Sequence, residues 1–231
     1  MTIGVISAMD SEHRQLVERL QEKKVADYGH LHYVEGLLGG NHVILTQCGI
    51  GKVNAAVGAT ELIRRFAPDC IISTGVAGGI DVCLKVMDVV VSERLVYHDV
   101  WCGEGNEYGQ VQGLPAAYEG CASLLEHALS LNNAGPESRI CKGLICTGDR
   151  FITDRAELGA SSTVFLPGLR SIWSLQPLRK CAICTAFLSL ASASSVTRRE
   201  WRIILRNTPI LGDNGRAFIP LDLGFPFHSA R

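Results

Sequence analysis

CGIGKVNAAVGATELIRRFAPDCIISTGVAGGI, residues 48–80, is the stretch whose reading decides the fold. It opens at the end of an apolar run, residues 42–48, that reads as a strand. Gly49 and Gly51 flank Ile50 at the strand's end, where a residue without Cβ lets the backbone turn sharply. Over 52–66 the apolar residues fall at Val53, Ala56, Val57, Leu62, Ile63 and Phe66, which is helical spacing, and Pro68 closes the helix. A second strand over 70–74 then runs into a second glycine cluster, Gly75, Gly78 and Gly79. Strand, glycine turn, helix and strand in succession are the unit of an α/β domain.

The same alternation extends on both sides. Residues 3–8 read as a buried strand, followed by a helix over 10–24 that Asp10 or Ser11 can cap. Beyond the opening stretch come a strand over 88–92, a loop rich in Gly and Pro over 98–115, a helix over 118–131 and a strand over 140–147. The pattern predicts a layered α/β domain on a largely parallel or mixed sheet.

With 231 residues, 47% of them hydrophobic and 19% charged, the chain can bury one substantial core. A net charge of −1 gives no electrostatic reason to expect nucleic acid or a membrane as partner. No apolar run approaches the ~20 residues needed to span a bilayer. The opening MTIGVISAMDSE lacks the basic and apolar segments of a secretion signal, so a cytoplasmic location is expected. The nine cysteines, Cys48, Cys70 and Cys146 among them, then read as mostly buried, reduced thiols. Cys181 and Cys184 form a CxxC, but no second pair supplies the four ligands of a structural zinc site, and no metal is expected.

Charge divides the chain in two. Residues 1–160 hold 13 Lys plus Arg against 20 Asp plus Glu, a balance of −7, whereas residues 161–231 hold 9 against 3, a balance of +6. The second part is rich in Ser, Leu and Arg and sustains neither helical nor strand spacing.

Glycine-lined strand ends bring backbone amides close to a ligand. Neither cluster fits a phosphate loop or a dinucleotide fingerprint, so a mononucleotide phosphate is not implied. One carboxylate, Glu12, stands at the start of the first helix, just after a strand end of the kind that faces a ligand crevice in such sheets. Alone, a carboxylate there is more often a helix cap or a favourable dipole contact than a catalytic group.

In combination, residues 1–160 resemble the bacterial 5′-methylthioadenosine/S-adenosylhomocysteine nucleosidases of the purine nucleoside phosphorylase superfamily. The matching stretches are IGVISAMDSE, GIGKVNAAVGATELI, STGVAGGI, YHD at 97–99, EYGQ at 107–110 and TGDRFI at 147–152. The resemblance implies an α/β, phosphorylase/hydrolase-like layered fold with a central mixed β-sheet flanked by helices, its C-terminal part irregular or incomplete. It implies hydrolysis of the N-glycosidic bond of methylthioadenosine and S-adenosylhomocysteine with release of adenine, no cofactor and a homodimer. By the same resemblance Glu12 is catalytic and activates water, with Ala8 and Met9 on the pocket wall. Ile50 lines the slot for the 5′-alkylthio group, and a turn at Val76, Ala77 and Gly78 lies along purine and ribose. Phe151 stacks on adenine and the Ile152 backbone bonds its edge. A nucleoside phosphorylase, a noncatalytic module that binds adenine nucleosides and a defective gene product stay open as alternatives.

The resemblance stops at about Ala160. The family's later Val-x-Met-Glu segment, with a ribose-binding carboxylate, and its Ser-Asp segment, with the acid, fall where this chain has Trp173 and Ser174, and then Thr197. Ser171 to Ser174 can be encoded TCG ATA TGG AGT, which preceded by G and read one base earlier gives Val-Asp-Met-Glu. Ala193 to Thr197 can be encoded GCA TCA TCA GTG ACA, which in the same shifted frame contains Ile-Ile-Ser-Asp. The expected organisation is therefore a nucleosidase-like α/β domain over 1–160 and a basic tail over 161–231 that is a frameshifted product of the same domain, leaving the chain's activity impaired.

Overall fold

The computed structural model describes residues 1–79, 84, 88–134 and 139–150 and, by backbone alone, three strands within 171–203. Strand β1 (Thr2–Ser7) leads into helix α1 (Asp10–Arg19). A meander of β2 (Gln21–Tyr28), β3 (Leu31–Leu38) and β4 (Asn41–Gln47) follows, with antiparallel pairing throughout. Helix α2 (Lys52–Phe66) then crosses to β5 (Cys70–Gly79). Strand β6 (Val89–Tyr97), the short β7 (Tyr118–Glu119), α3 (Ala122–Ser130) and β8 (Ile140–Thr147) complete the continuous part. The later strands are β9 (Ser171–Ser174), β10 (Cys181–Ala186) and β11 (Arg202–Ile203).

One mixed sheet carries all of these strands. Strand β1 lies between β4 and β5, parallel to both, as the β-α-β reading of 48–80 requires. Strands β6 and β8 are parallel to each other, β9 runs between β8 and β5, and β10 between β5 and β6. The expected α/β class holds. The tail expected to be irregular contributes three strands to this sheet among the described residues.

Side-chain alternation explains the layering. Ile3 and Val5 face Leu16 of α1 and Leu20 just beyond it, with Val43 and Leu45 on the same side, whereas Ile6, Ile44 and Ile71 face Ala59 and Leu62 of α2. Gly4 sits under α2, and a Cβ there would stand 2.6 Å from Leu62 Cδ2, so its lack of a side chain sets how closely helix and sheet approach. A third cluster packs α3 against Val89, Val91, Leu95 and Ile145.

Three expectations are corrected. The first helix ends at Arg19 rather than at 24, because Leu20 turns to extended backbone and Gln21 onward pairs with β3. The sequence QEKKVADY is exposed along nearly its whole length and carries no period-2 signal. The strand expected over 88–92 continues to Tyr97, since β8 pairs with it all the way to Tyr97↔Thr147. The third helix begins at Ala122 rather than 118, because Tyr118 and Glu119 are drawn into a short pairing with Leu95 and Arg94.

Candidate active site

Strand β1 ends at Ser7, Ala8 and Met9 make the turn, and Glu12 is the third residue of α1. Its Oε2 accepts hydrogen bonds from the backbone N–H of Met9 at 3.0 Å and of Ala8 at 3.2 Å. Its Oε1 accepts the N–H of Val76, at 3.0 Å, from β5. The same carboxylate thus closes the N-terminus of its own helix and ties that helix to a strand far along the chain. Capping expected of Asp10 or Ser11 falls to Glu12 because Met9 is the residue before the helix; Asp10, already inside it, pairs with Arg14 at 2.7 Å.

Glu12 is 3% exposed. Burial raises its pKa above the ordinary carboxylate value against the pull of the three amides from Val76, Met9 and Ala8. A buried carboxyl held at a defined angle with raised proton affinity is the chemistry a general base requires. Behind it, His13 is buried, with Nδ1 3.4 Å from Ser7 Oγ, and burial lowers its pKa.

The second glycine cluster works differently from the expected turn. Val76, Ala77 and Gly78 are strand residues, because β5 continues to Gly79 and its backbone pairs with β9 and β10. Gly75 is required for close approach rather than for turning: a Cβ there would lie 3.0 Å from Glu12 Oε1. Among the described residues nothing lies within 4 Å of where a Cβ on Gly78 would project.

The first cluster is the turn the sequence announces. Gly49 and Gly51 adopt φ of +89° and +102°, the left-handed side that favours glycine. The turn is anchored to the Glu12 side of the sheet by the Cys48 N–H, which donates to Ser7 O at 2.9 Å. Asn54 Nδ2 donates to Ile50 O at 2.6 Å, and Ile50 itself is 48% exposed, an apolar side chain presented to solvent.

A polar network missed by the sequence reading joins this turn to the end of β8. Asp149 Oδ1 accepts the Lys52 N–H at 2.6 Å and so caps α2 from 97 residues away. Lys52 Nζ donates to Asp99 Oδ1 at 2.8 Å, and the Asp149 N–H donates to Asp99 Oδ2 at 2.7 Å. Burial opposes ionisation of Asp99, but its bonds from Lys52 and Asp149 outweigh burial and lower its pKa. Asp99 and Asp149 belong to the quoted YHD and TGDRFI stretches. No sequence signal pairs them with Lys52.

Glu12, Ala8, Met9 and Val76 are therefore brought into direct contact, and Ile50 lies on a turn bonded to the same strand end. Phe151 and Ile152 lie outside the described residues; the chain enters them through Asp149 and Arg150. Among the described residues no group of three or more His, Cys, Asp and Glu is placed to hold a metal ion. The Cys48 thiol is pushed up to about 11 by burial, and Cys70 and Cys146 to about 12. Cys181 and Cys184 lie on β10, described by backbone alone.

The phosphorylase superfamily profile matches residues 2–163. A 5′-methylthioadenosine/S-adenosylhomocysteine nucleosidase of Exiguobacterium sp. is 44% identical over 155 residues, which are 67% of this chain and 66% of the relative. The chain thus spans about two thirds of that relative's length. The crystal structure of the corresponding nucleosidase from Colwellia psychrerythraea in complex with adenine superposes with a TM-score of 0.68 and 34% identity, covering 74% of this chain and 72% of that one. The Neisseria meningitidis nucleosidase in complex with methylthio-immucillin-A gives a TM-score of 0.71 at 32% identity, covering 89% and 83%. On this profile match, these identities and this shared fold, the chain belongs to the phosphorylase superfamily, among its 5′-methylthioadenosine/S-adenosylhomocysteine nucleosidases.

Proposed function

We propose that the site is built to hydrolyse the N-glycosidic bond of 5′-methylthioadenosine and S-adenosylhomocysteine, releasing adenine and a thioribose. The observation that carries this is Glu12: one buried carboxylate, held by the amides of Ala8, Met9 and Val76, at a strand end beside the glycine-lined β5. In the reaction, Glu12 takes a proton from water and the water oxygen bonds to the sugar C1′. The bond from C1′ to the purine nitrogen breaks, and its electron pair leaves with adenine, which takes up a proton. Positive charge builds on the ribose as the bond lengthens, so the site also needs an anion near the ribose and an acid near the base.

On the same reading Ala8, Met9 and Ile50 line the pocket, Val76, Ala77 and Gly78 lie along purine and ribose, and Phe151 and Ile152 take adenine. The reading extends to a homodimer acting in methionine salvage in the cytoplasm. Ile50, Val53 and Val57, exposed apolar residues along one face of α2 and its leading turn, support a covering second copy. Among the described residues no helix is long and apolar enough to cross a membrane.

The chain as it stands lacks the two further groups, since residues 161–231 contain only Glu200, Asp213 and Asp222 as acids and none falls at the expected positions. Each positioned acid or base contributes roughly 10²- to 10⁴-fold. Adenine release by the purified chain should therefore lie several powers of ten below that of a relative, and near-normal turnover would refute the impairment. Release that depends on added phosphate would favour a phosphorylase. Saturable binding of an adenosine analogue without turnover would favour a binding module.

A further inference from the structure

Ile50 stands between two glycines, Gly49 and Gly51, both at positive φ. Glycine is the least restrained residue in backbone conformation, so the local sequence leaves the direction of the Ile50 side chain open. Ties to other segments must fix it. At the entry of the turn the Cys48 N–H bonds Ser7 O of β1. At the exit stands Lys52, the first residue of α2, whose amide and ammonium reach aspartates just beyond the ends of β8 and β6.

The two aspartates are not equivalent. Asp149, which receives the Lys52 N–H, has a side chain 51% exposed, whereas that of Asp99 is 12% exposed. Asp99 Oδ2 takes the Asp149 N–H at 2.7 Å and Oδ1 takes the Lys52 ammonium at 2.8 Å, one oxygen for each side. A half-sheltered carboxylate with a donor on each oxygen, one of them charged, is held more firmly than an exposed ion pair. Two glycines let the segments close on this network. A Cβ on Gly51 would stand 3.1 Å from Asp149 Oδ1, and one on Gly148 2.6 Å from Asp99 Cγ. Strand β8 and strand β4, from which the turn departs, are not sheet neighbours, since β9, β5 and β1 lie between them. The bridge through Asp99 spans directly what the sheet connects only through three intervening strands.

We propose that Asp99 is a positioning residue for the 5′ end of the nucleoside: through Lys52 and Asp149 it fixes the exit of the Ile50 turn, and with it the slot that distinguishes a 5′-alkylthio group from a 5′-hydroxyl. The inference rests on the nucleosidase reading above, in which Ile50 lines that slot. A well-fitted apolar slot discriminates small groups by ~10-fold or more, and the gain depends on where its wall stands.

The test measures dissociation constants of adenosine and 5′-methylthioadenosine by calorimetry on the full chain and its variants. The two ligands share base and ribose and differ at the 5′ group, so their ratio reports the slot and cancels changes at the base. The parent is expected to prefer methylthioadenosine by at least ~10-fold. Asp99→Ala should bring that preference close to unity, and so should Ile50→Ala. The double variant should lose no more than either alone, because one residue acts through the other. Lys52→Met leaves every backbone donor and the bond between Asp99 and Asp149 in place; it should lower the preference in the same direction, and it carries the test if Asp99→Ala does not fold. Amide exchange gives a second readout. The position 52 amide bonds Asp149 and not Asp99, so in Asp99→Ala it should quicken by at least ~10-fold relative to the Ala59 amide inside α2. An Asp99→Ala chain that is less stable but keeps the preference assigns the residue to the fold alone and overturns the inference, with the nucleosidase reading intact. A parent that binds both nucleosides without preference overturns it as well, by removing the slot. A parent that binds neither overturns the nucleosidase reading and the inference with it.

Discussion

Glu12 Oε1 and the Val76 amide, 64 residues apart in sequence, meet at 3.0 Å across the boundary between α1 and β5. The bond makes one carboxylate serve both the fold and the site, because the two amides on its other oxygen belong to the turn that begins α1. Removing it leaves three part-buried donors without their acceptor together.

Glu12→Ala should therefore destabilise the chain by about 1–3 kcal/mol, the cost of leaving these part-buried donors without an acceptor. Denaturant midpoints measure it. Glu12→Gln keeps one acceptor but turns an amide NH₂ toward backbone N–H groups, so it should fall between Ala and the parent. An Ala variant as stable as the parent would show that the three bonds contribute nothing.

Gly75→Ala tests the approach distance. Its Cβ would stand 3.0 Å from Glu12 Oε1, and both the β5 backbone and the carboxylate are held, so strain of about 1–3 kcal/mol is expected. Amide hydrogen exchange at Val76 should quicken as its acceptor is displaced. The control is Gly78→Ala, whose side chain meets no atom of the described residues within 4 Å, and stability should change by less than ~1 kcal/mol.

Asp149→Ala removes the cap of α2. Loss of a capping side chain costs about 1 kcal/mol, and the Lys52 amide, now without its acceptor at 2.6 Å, should exchange faster. Asp149→Asn keeps an oxygen for that amide and should recover most of the loss. Equal effects of Ala and Asn would assign the role to charge rather than to the cap.

Acid sensitivity has a definite sign at His98. Burial lowers its pKa from 6.5 to about 4, so the folded chain keeps the ring neutral where the unfolded chain binds a proton. Its contribution is present above pH 6.5 and is lost as the pH falls from 6.5 toward about 4. His13, also lowered by burial, acts in the same direction, while Glu12, raised by burial, acts oppositely, its contribution growing as the pH falls toward 4.5. The difference between the parent and His98→Gln isolates the one group: the variant's midpoint should fall less steeply with pH across that window, and parallel curves would contradict the assignment.

How far the sequence could be read depended on whether the deciding forces were local. Helix α2 and strand β8 have the bounds that spacing alone assigned, 52–66 and 140–147, since one amphipathic face or one buried run with clear stops suffices for each. Strands β2 and β3 were missed because QEKKVADY owes its conformation to the hairpin partner it pairs with and to no pattern of its own.

By itself the sequence determined the α/β alternation, the glycine turn at Gly49 and Gly51, the candidacy of Glu12 and the break near Ser161, because propensity, periodicity, backbone permissiveness and charge are properties of neighbouring residues. Only the tertiary structure decided that STGVAGG runs on as strand, that Gly75 makes room for a carboxylate, that Asp149 caps a helix 97 residues away and that position 174 stands beside Ala77. Hydrogen bonds and close contacts between distant segments depend on where the sheet brings them, and no local pattern records that.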